Sequence, residues 1–306
     1  MSETTINASE YSTIFQNQLD KSFVEQSTTG WMEANAGNVI YNGGKYIKIP
    51  TLNIDGLKDY DRKNGYPSGS VELSYQTMEM TKDRSTSFLL DAMDVNETNF
   101  VASAGNVSSE FQRTQVIPEV DSYRYSKIYA EAENGRKEYT VDEATVFEAF
   151  IDDIAYVQDI VGENEPLVAS ISGIAAAAIS KLKDFQKLVD TTNFVAGTLN
   201  TKVKTINDVP LFKVPSARMY TSYVFKDGKT EGQEQGGFEK GETAKQMNWI
   251  IMPRRAVIAV AKQDNMKIIT PQINQTADAW KLTYRKYHDL WIKQSYLDTI
   301  RCNIAE

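Results

Sequence analysis

A chain of 306 residues with 41% hydrophobic and 10% aromatic residues can build one large core or two to three lobes, which excludes global disorder. Its 33 basic and 41 acidic residues leave a net charge of −8, against the basic face of a dedicated nucleic-acid binder. One cysteine, Cys302, excludes an intrachain disulfide framework and suits a reducing cytosol. No run approaches the ~20 apolar residues of a bilayer span. The opening Met1-Ser2-Glu3-Thr4 lacks the basic start and apolar core of a secretory signal.

Residues 1–44 are polar, with scattered Tyr11, Phe15, Phe23 and Trp31. That is too few periodic apolar residues for a core and too many aromatics for a linker, so the stretch reads as an arm that packs on neighbours. Two strand-like runs follow, Lys45-Tyr46-Ile47-Lys48-Ile49 and Val71-Glu72-Leu73-Ser74-Tyr75. The Gly-, Asn-, Pro- and Ser-rich stretch 55–70 between them is turn material, so the whole predicts a long two-stranded hairpin. Such a hairpin is marginal alone and needs a packing partner.

Asp94 and Glu97 have the spacing of a capping box, and Phe100, Ala104, Val107 and Phe111 recur at helical spacing beyond it. The pattern predicts a helix running to about Glu133, kinked or restarted at Pro118. A second capping box, Thr140 and Glu143, opens another helix whose stripe is Phe147, Phe150, Ile151, Ile154, Val157 and Val161, closed by Gly162. An Ala-rich helix is expected around Ile174–Leu188. A hairpin is expected from Lys202–Ile206 into Val209–Phe212, turning at Asn207-Asp208. Lys226 to Gly241 holds five glycines and reads as a mobile surface loop.

Toward the C-terminus, Trp249-Ile250-Ile251-Met252 and Ala256-Val257-Ile258-Ala259-Val260 are apolar strands separated by Pro253. Trp280, Leu282 and Tyr284 alternate with polar residues, the period-2 mark of a half-buried strand. Charge is unevenly placed. Residues 141–180 hold eight acidic and no basic side chains, whereas 245–306 hold ten basic and five acidic. One reading is ordinary solvated faces; the other is complementary subunit surfaces that set docking orientation.

The residues offer little for chemistry. Asp227-Gly228-Lys229-Thr230 contains Gly-Lys-Thr, but Tyr223 stands where a phosphate loop needs its first glycine. His288 is the sole histidine, which removes His/Cys metal clusters and paired-histidine mechanisms; it reads as a structural hydrogen-bonding residue at the end of a strand. Cys302 has no second cysteine or histidine near it in sequence. The adjacent Asp152-Asp153 pair diverges by ~100° on a helix and suits a solvated polar face. No catalytic, cofactor-binding or metal-ligating residues are therefore assigned, and no cofactor is expected. Sixteen tyrosines are compatible with an interface-rich protein.

Three segments resemble the major capsid proteins of tailed bacteriophages that infect Gram-positive bacteria. They are Met80-Thr81-Lys82-Asp83-Arg84-Ser85-Thr86-Ser87-Phe88, with Asp91, Asp94, Glu97 and Thr98 following; Pro118-Glu119-Val120-Asp121-Ser122-Tyr123-Arg124-Tyr125-Ser126-Lys127-Ile128; and the C-terminal pair, above all Tyr284-Arg285-Lys286-Tyr287-His288-Asp289. The resemblance covers about 45 to 306. It implies an α+β protein of the Hong Kong 97-like capsid fold: an N-terminal arm (1–44), an extended hairpin loop (45–90), a peripheral domain with a long spine helix (91–139), an axial domain (140–260), and return strands of the peripheral domain (261–306).

The implied function is structural and not enzymatic: a subunit forming hexamers and pentamers of an icosahedral head that encloses double-stranded DNA. Some relatives carry about a hundred extra N-terminal residues as a cleaved scaffold. The short arm here implies a separate scaffolding protein and no cleavage. The other expected partners are a portal, packaged DNA held weakly by an acidic lumen, and an optional decoration protein; no membrane is involved. Expected inter-subunit contacts are Tyr11, Phe15, Trp31, Tyr60, Asp61, Arg62 and Tyr66. The protein is expected in the virion, after assembly in the host bacterial cytoplasm. Alternatives are an encapsulin-like compartment, or a tail-tube or sheath subunit assembling into helical tubes.

Overall fold

The computed structural model describes residues 27–38, 40–41, 44–63, 65–91, 107–182, 189–196, 199–274 and 277–306. The Asp94–Glu97 capping box lies outside them, as do Tyr11 and Phe15.

The largest element is a seven-stranded mixed sheet. Its strands, in spatial order, are β5 (Arg136–Glu138), β15 (Arg301–Ile304), β12 (Met247–Pro253), β6 (Leu167–Ser172), β9 (Val209–Val214), β8 (Leu199–Ile206) and β7 (Asp190–Ala196). β12 and β6 are buried along their whole lengths, as strands covered on both faces must be. Alternation sorts β12 between two cores. Met247, Ile250 and Met252 face one cluster and Trp249 and Ile251 the other.

One face is covered by α2 (Val146–Val161) and α3 (Gly173–Ser180). The stripe of α2 packs as its spacing predicts, with Phe150, Ile154 and Val157 fully buried, and Gly162 caps it at φ 87°. The helix starts at Val146, not at the Thr140 box. The Asp142 carbonyl accepts the Val146 N–H at 2.9 Å, so the chain turns there before the helix begins. Ser172 caps α3 by accepting the Ala175 N–H at 3.2 Å. The other face is covered by a 3-10 helix, Gly30–Asn38, and by α1 (Ile117–Glu131).

α1 continues without a break from an α-helical turn at 107–111 and a π-helical segment, Gln112–Val116. Pro118 lacks an N–H and its ring crowds the carbonyl four residues back, so a kink or restart was expected there. The wider π turn just before it absorbs the mismatch and the helix runs on. At the other end of α1, the chain turns back at Gly135. A Cβ there would stand 1.6 Å from the Ile300 carbonyl oxygen, so only glycine lets β5 lie against the approach to β15.

A three-stranded sheet joins β13 (Val257–Ile269), β14 (Ala279–Ile292) and β4 (Lys82–Asp91). Leu282, Tyr284, Phe88 and Met266 meet Val116, Ile117 and Val120 of the helix in a third core. The period-2 signal at Trp280–Tyr284 thus marks β14. From this body projects a hairpin of β2 (Tyr46–Ile54) and β3 (Val71–Glu79), with a short β1 (Ile40–Tyr41) beside its base. The expected turn at Asn207-Asp208 is also formed. Both residues have positive φ, 49° and 62°, as a type I′ hairpin turn requires.

Two sheet memberships cut across the segments that the resemblance implies. β4, expected in the hairpin segment 45–90, pairs with β14 from Lys82 to Asp91. β15, expected among the return strands of 261–306, pairs with β12 and, in parallel, with β5.

Candidate assembly surfaces

The β2–β3 hairpin changes its apolar side along its length. At the base, Ile47 and Ile49 point into a cluster with Met80, Ile258 and Trp291. Farther out, the same side carries Thr51 opposite Ser74. The opposite side there carries Pro50 opposite Tyr75, Leu52 opposite Leu73 and Ile54 opposite Val71. Leu52, Ile54, Val71 and Leu73 are each more than half exposed. The strip is contiguous and apolar, and none of the described residues lies over it.

Tyr60, Asp61, Arg62 and Tyr66 lie together at the tip of this hairpin. Tyr60 is 59% exposed and Tyr66 92%, with ring centroids 5.2 Å apart in an edge-to-face pair. Asp61 turns the tip: its carboxylate accepts the Lys63 N–H at 2.8 Å and its carbonyl the Gly65 N–H at 2.7 Å. Arg62 is exposed.

Asp289 fixes the root of the hairpin. It is buried on β14 and accepts the N–H and hydroxyl of Thr81 at 2.8 and 2.9 Å. It also accepts the Tyr123 hydroxyl at 2.6 Å and forms an ion pair with Lys127, both on α1. Burial alone would raise the pKa of this carboxyl. The Lys127 charge and the hydrogen bonds from Lys127, Tyr123 and the Leu290 N–H outweigh it and hold the pKa below the usual range.

A second carboxylate, Asp121 of α1, gathers the start of the described chain. It accepts the hydroxyls of Ser27, Thr28 and Thr29 at 2.7, 3.0 and 2.6 Å and pairs with Arg218 at 3.1 Å. The buried Arg124 donates to the Thr29 carbonyl at 3.1 Å and pairs with Glu33. This anchoring corrects the expectation for Trp31. The ring is 1% exposed, stacked on Phe212 at 6.4 Å and set edge-on to Phe194 at 6.2 Å, which leaves no face for a neighbour.

Asp153 is a further correction. Asp152 is solvated, but Asp153 is 1% exposed and accepts from Trp249 Nε1, Asn303 Nδ2 and Arg301 Nε at 2.9, 2.9 and 2.8 Å. It ties α2 to β12 and β15. The loop between β10 (Tyr223–Phe225) and β11 (Phe238–Lys240) is likewise more organised than its glycines suggest. Arg84 pairs with Glu119 at 2.7 Å and donates to the Lys226 and Gly237 carbonyls at 2.5 and 3.1 Å, strapping both ends of the loop to α1. Asp227 accepts the N–H groups of Lys229 and Thr230, each at 2.8 Å, which brings its pKa down to about 2. The Gly-Lys-Thr run is thus a turn closed on its own aspartate.

The two reactive side chains are chemically quiet. His288 lies within β14, not at its end, with no partner for Nδ1 among the described residues. Burial, then the charges of Arg124, Lys286, Lys82 and Lys127, push its pKa well below the ordinary value and keep the ring neutral. Burial pushes the Cys302 thiol up to about 12, which removes it as a nucleophile. Among the described residues no group of three His, Cys, Asp or Glu side chains could hold a metal, and no helix is long and apolar enough to cross a membrane.

This combination of spine helix, projecting hairpin and helix-covered sheet is the Hong Kong 97-like capsid fold, α+β in class. The chain is similar to the capsid of Cyanophage P-SCSP1u (TM-score 0.56, 9% identity, covering 86% of this chain and 84% of that one). It is similar to a subunit from the mature capsid of bacteriophage PhiM1 (TM-score 0.54, 12% identity, 87% and 83% covered). It is also similar to the virus-like particle from Pyrococcus furiosus (TM-score 0.56, 11% identity, 97% and 100% covered). No protein-family model and no curated protein matches the sequence. At these identities the likeness defines the fold.

Proposed function

We propose that this chain is the major capsid subunit of a tailed phage, a structural protein whose copies close into hexamers and pentamers of an icosahedral head around double-stranded DNA. The observation that carries the reading is the exposed apolar strip of Leu52, Ile54, Val71 and Leu73 on a hairpin of capsid-fold geometry. A soluble monomer would bear that surface as an aggregation liability, whereas a shell buries it on the next copy. Tyr60, Asp61, Arg62 and Tyr66 at the tip are the contacts proposed to reach that copy. Tyr11 and Phe15 complete the set as contacts of the arm.

In this reading the hairpin 45–79, the α1 region with the β13–β14–β4 sheet, and the seven-stranded sheet correspond to extended loop, peripheral and axial domains. Shell closure uses a separate scaffolding protein and a portal, and the outer face is open to a decoration protein. The net charge of −8 leaves packaged DNA weakly held and free to slide. Assembly takes place in the host cytoplasm, and the product is the virion head.

The test is to express the chain alone and image it by negative-stain electron microscopy. Closed shells or isolated five- and six-membered rings are the expected outcome; a stable monomer at high concentration overturns the reading. The similarity to the Pyrococcus virus-like particle is compatible with a second reading, an encapsulin-like compartment. Shells from the native source that contain protein cargo and no DNA would select it.

A further inference from the structure

Two unlike surfaces lie at opposite ends of the face of the seven-stranded sheet that α2 and α3 cover. At the β5–β15 end, α2 exposes Glu148, Asp152 and Asp159 in one row, with Tyr156 and Ile160 along its edge. The Tyr156 ring lies 4.3 Å from the Arg301 guanidinium of β15, which fixes the row on the outer flank of the sheet. None of the three carboxylates has an ion-pair partner among the described residues, whereas Glu143 just before the helix pairs with Lys181.

Near the other end, β8 and β9 part. Their ladder stops at Lys204 opposite Leu211, while β9 stays paired to β6 as far as Val214 and β8 to β7 as far as Leu199. The parting opens a cavity of about 380 Å³ with an apolar floor that includes Ile171, Ile179 and Leu211. Lys202, Lys204 and Lys213 stand on its rim, and no carboxylate lines it among the described residues. Lys202 and Lys213 are exposed and have no ion-pair partner among the described residues.

We infer that these surfaces meet between copies: the outer flank of α2 docks in the β8–β9 slot of the next subunit. Ile160 enters the apolar floor, and Asp152 and Asp159 face Lys202 and Lys213. Charge complementarity names the occupant, since each surface supplies what the other lacks. Buried charge is tolerated at such a contact only when it is paired. Because the two patches differ and lie on opposite flanks, the contact is head-to-tail and propagates around a ring. The inference rests on the assembly reading above and adds to it the side chains that set the direction of the ring.

Charge reversal tests it. Lys202→Asp with Lys213→Asp makes both surfaces of a copy acidic, and Asp152→Lys with Asp159→Lys makes both basic. Each double variant should need at least roughly tenfold more protein than wild type to form rings, because like charges now face each other. The quadruple variant restores opposite charges and should assemble again. A mixture of the two double variants pairs only in alternation, so it should form six-membered rings and no five-membered ones, an odd ring being unable to alternate. Melting curves of the unassembled proteins check that all variants fold.

Either double variant assembling at the wild-type concentration overturns the inference. So does a folded quadruple variant that stays unassembled, or a mixture that yields pentamers. A salt series on wild type gives a readout free of mutation: the assembly threshold should rise between about 0.1 and 1 M salt as the Debye length contracts, and an unchanged threshold counts against the inference. A wild-type chain that never assembles overturns the assembly reading instead, so the two failures are told apart.

Discussion

Taking a carboxylate out of water costs several kcal/mol, and Asp121, Asp153 and Asp289 bear that cost at the joints between elements. Each is surrounded by donors from separate parts of the chain, so each is satisfied only when those parts are correctly placed. Removing one such carboxylate strands its partners. Asp153→Ala leaves the Trp249 indole N–H and the Arg301 guanidinium without their acceptor, and should destabilise the fold by about 3–5 kcal/mol. Asp152→Ala, one residue away in solvent, should stay within about 0.5 kcal/mol, and denaturant unfolding of the two variants measures the contrast. His288 gives a pH signature of the opposite chemical type. Burial, with Arg124 and Lys127 of α1, Lys286 of its own strand and Lys82 of β4, depresses its folded-state pKa, so the native ring resists protonation. The unfolded chain takes up that proton below about pH 6.5, so stability is full above that pH and falls as pH drops, by at most about 1.4 kcal/mol per pH unit. His288→Gln should remove that slope between about pH 6.5 and 5. Asp289, whose folded pKa is also depressed, contributes stability that is lost only at lower pH, below the ordinary carboxylate range near 4.

At the scale of elements, the hairpin separates folding from assembly. Ile49 at its base is 2% exposed in the cluster with Trp291, so Ile49→Ala should cost about 2–4 kcal/mol of monomer stability. Leu52→Asp, three residues farther out on the exposed side, should change monomer unfolding by no more than about 0.5 kcal/mol yet prevent shell formation. Unfolding curves beside electron micrographs check both; a Leu52→Asp chain that still closes shells would remove the hairpin strip from the interface. Periodicity made the regular elements readable: the α2 stripe, the period-2 run of β14, and the Asn207-Asp208 turn, whose residue types tolerate positive φ. What sequence hid was decided by long-range partners. Asp153 reads as solvated beside Asp152, and only Trp249, Arg301 and Asn303 make it a core residue. Trp31 reads as an aromatic on a polar arm until Phe194 and Phe212 close around it. Pro118 reads as a kink or restart, but its residue type does not say that a π turn provides it. The exposure of Tyr60 and Tyr66 was legible because they lie in a turn-rich tip that none of the described residues covers.

For the whole molecule, cohesion is uneven, and that unevenness is a measurable consequence of the proposed assembly. The two large cores clasp the seven-stranded sheet from both faces, and the third joins α1 to the β13–β14–β4 sheet, so the body resists local opening. Among the described residues, the hairpin beyond Ile49 is held by its own ladder and the turn bonds of its tip, and a two-stranded hairpin is marginal in water. Lys58, Arg62 and Lys63 stand exposed at its tip, where a protease must unfold little to bind the chain. Within the described residues, trypsin acting on unassembled protein should therefore cleave first between 58 and 63, and leave the body intact. If the tip reaches the next copy in a shell, the same bonds should become resistant on assembly, with cleavage slowed at least about tenfold at equal subunit concentration. Mass spectrometry of the fragments before and after assembly measures both rates. Tip cleavage at an unchanged rate in closed shells would place Tyr60, Asp61, Arg62 and Tyr66 outside the contact and leave the burden of closure on the flanks of the sheet.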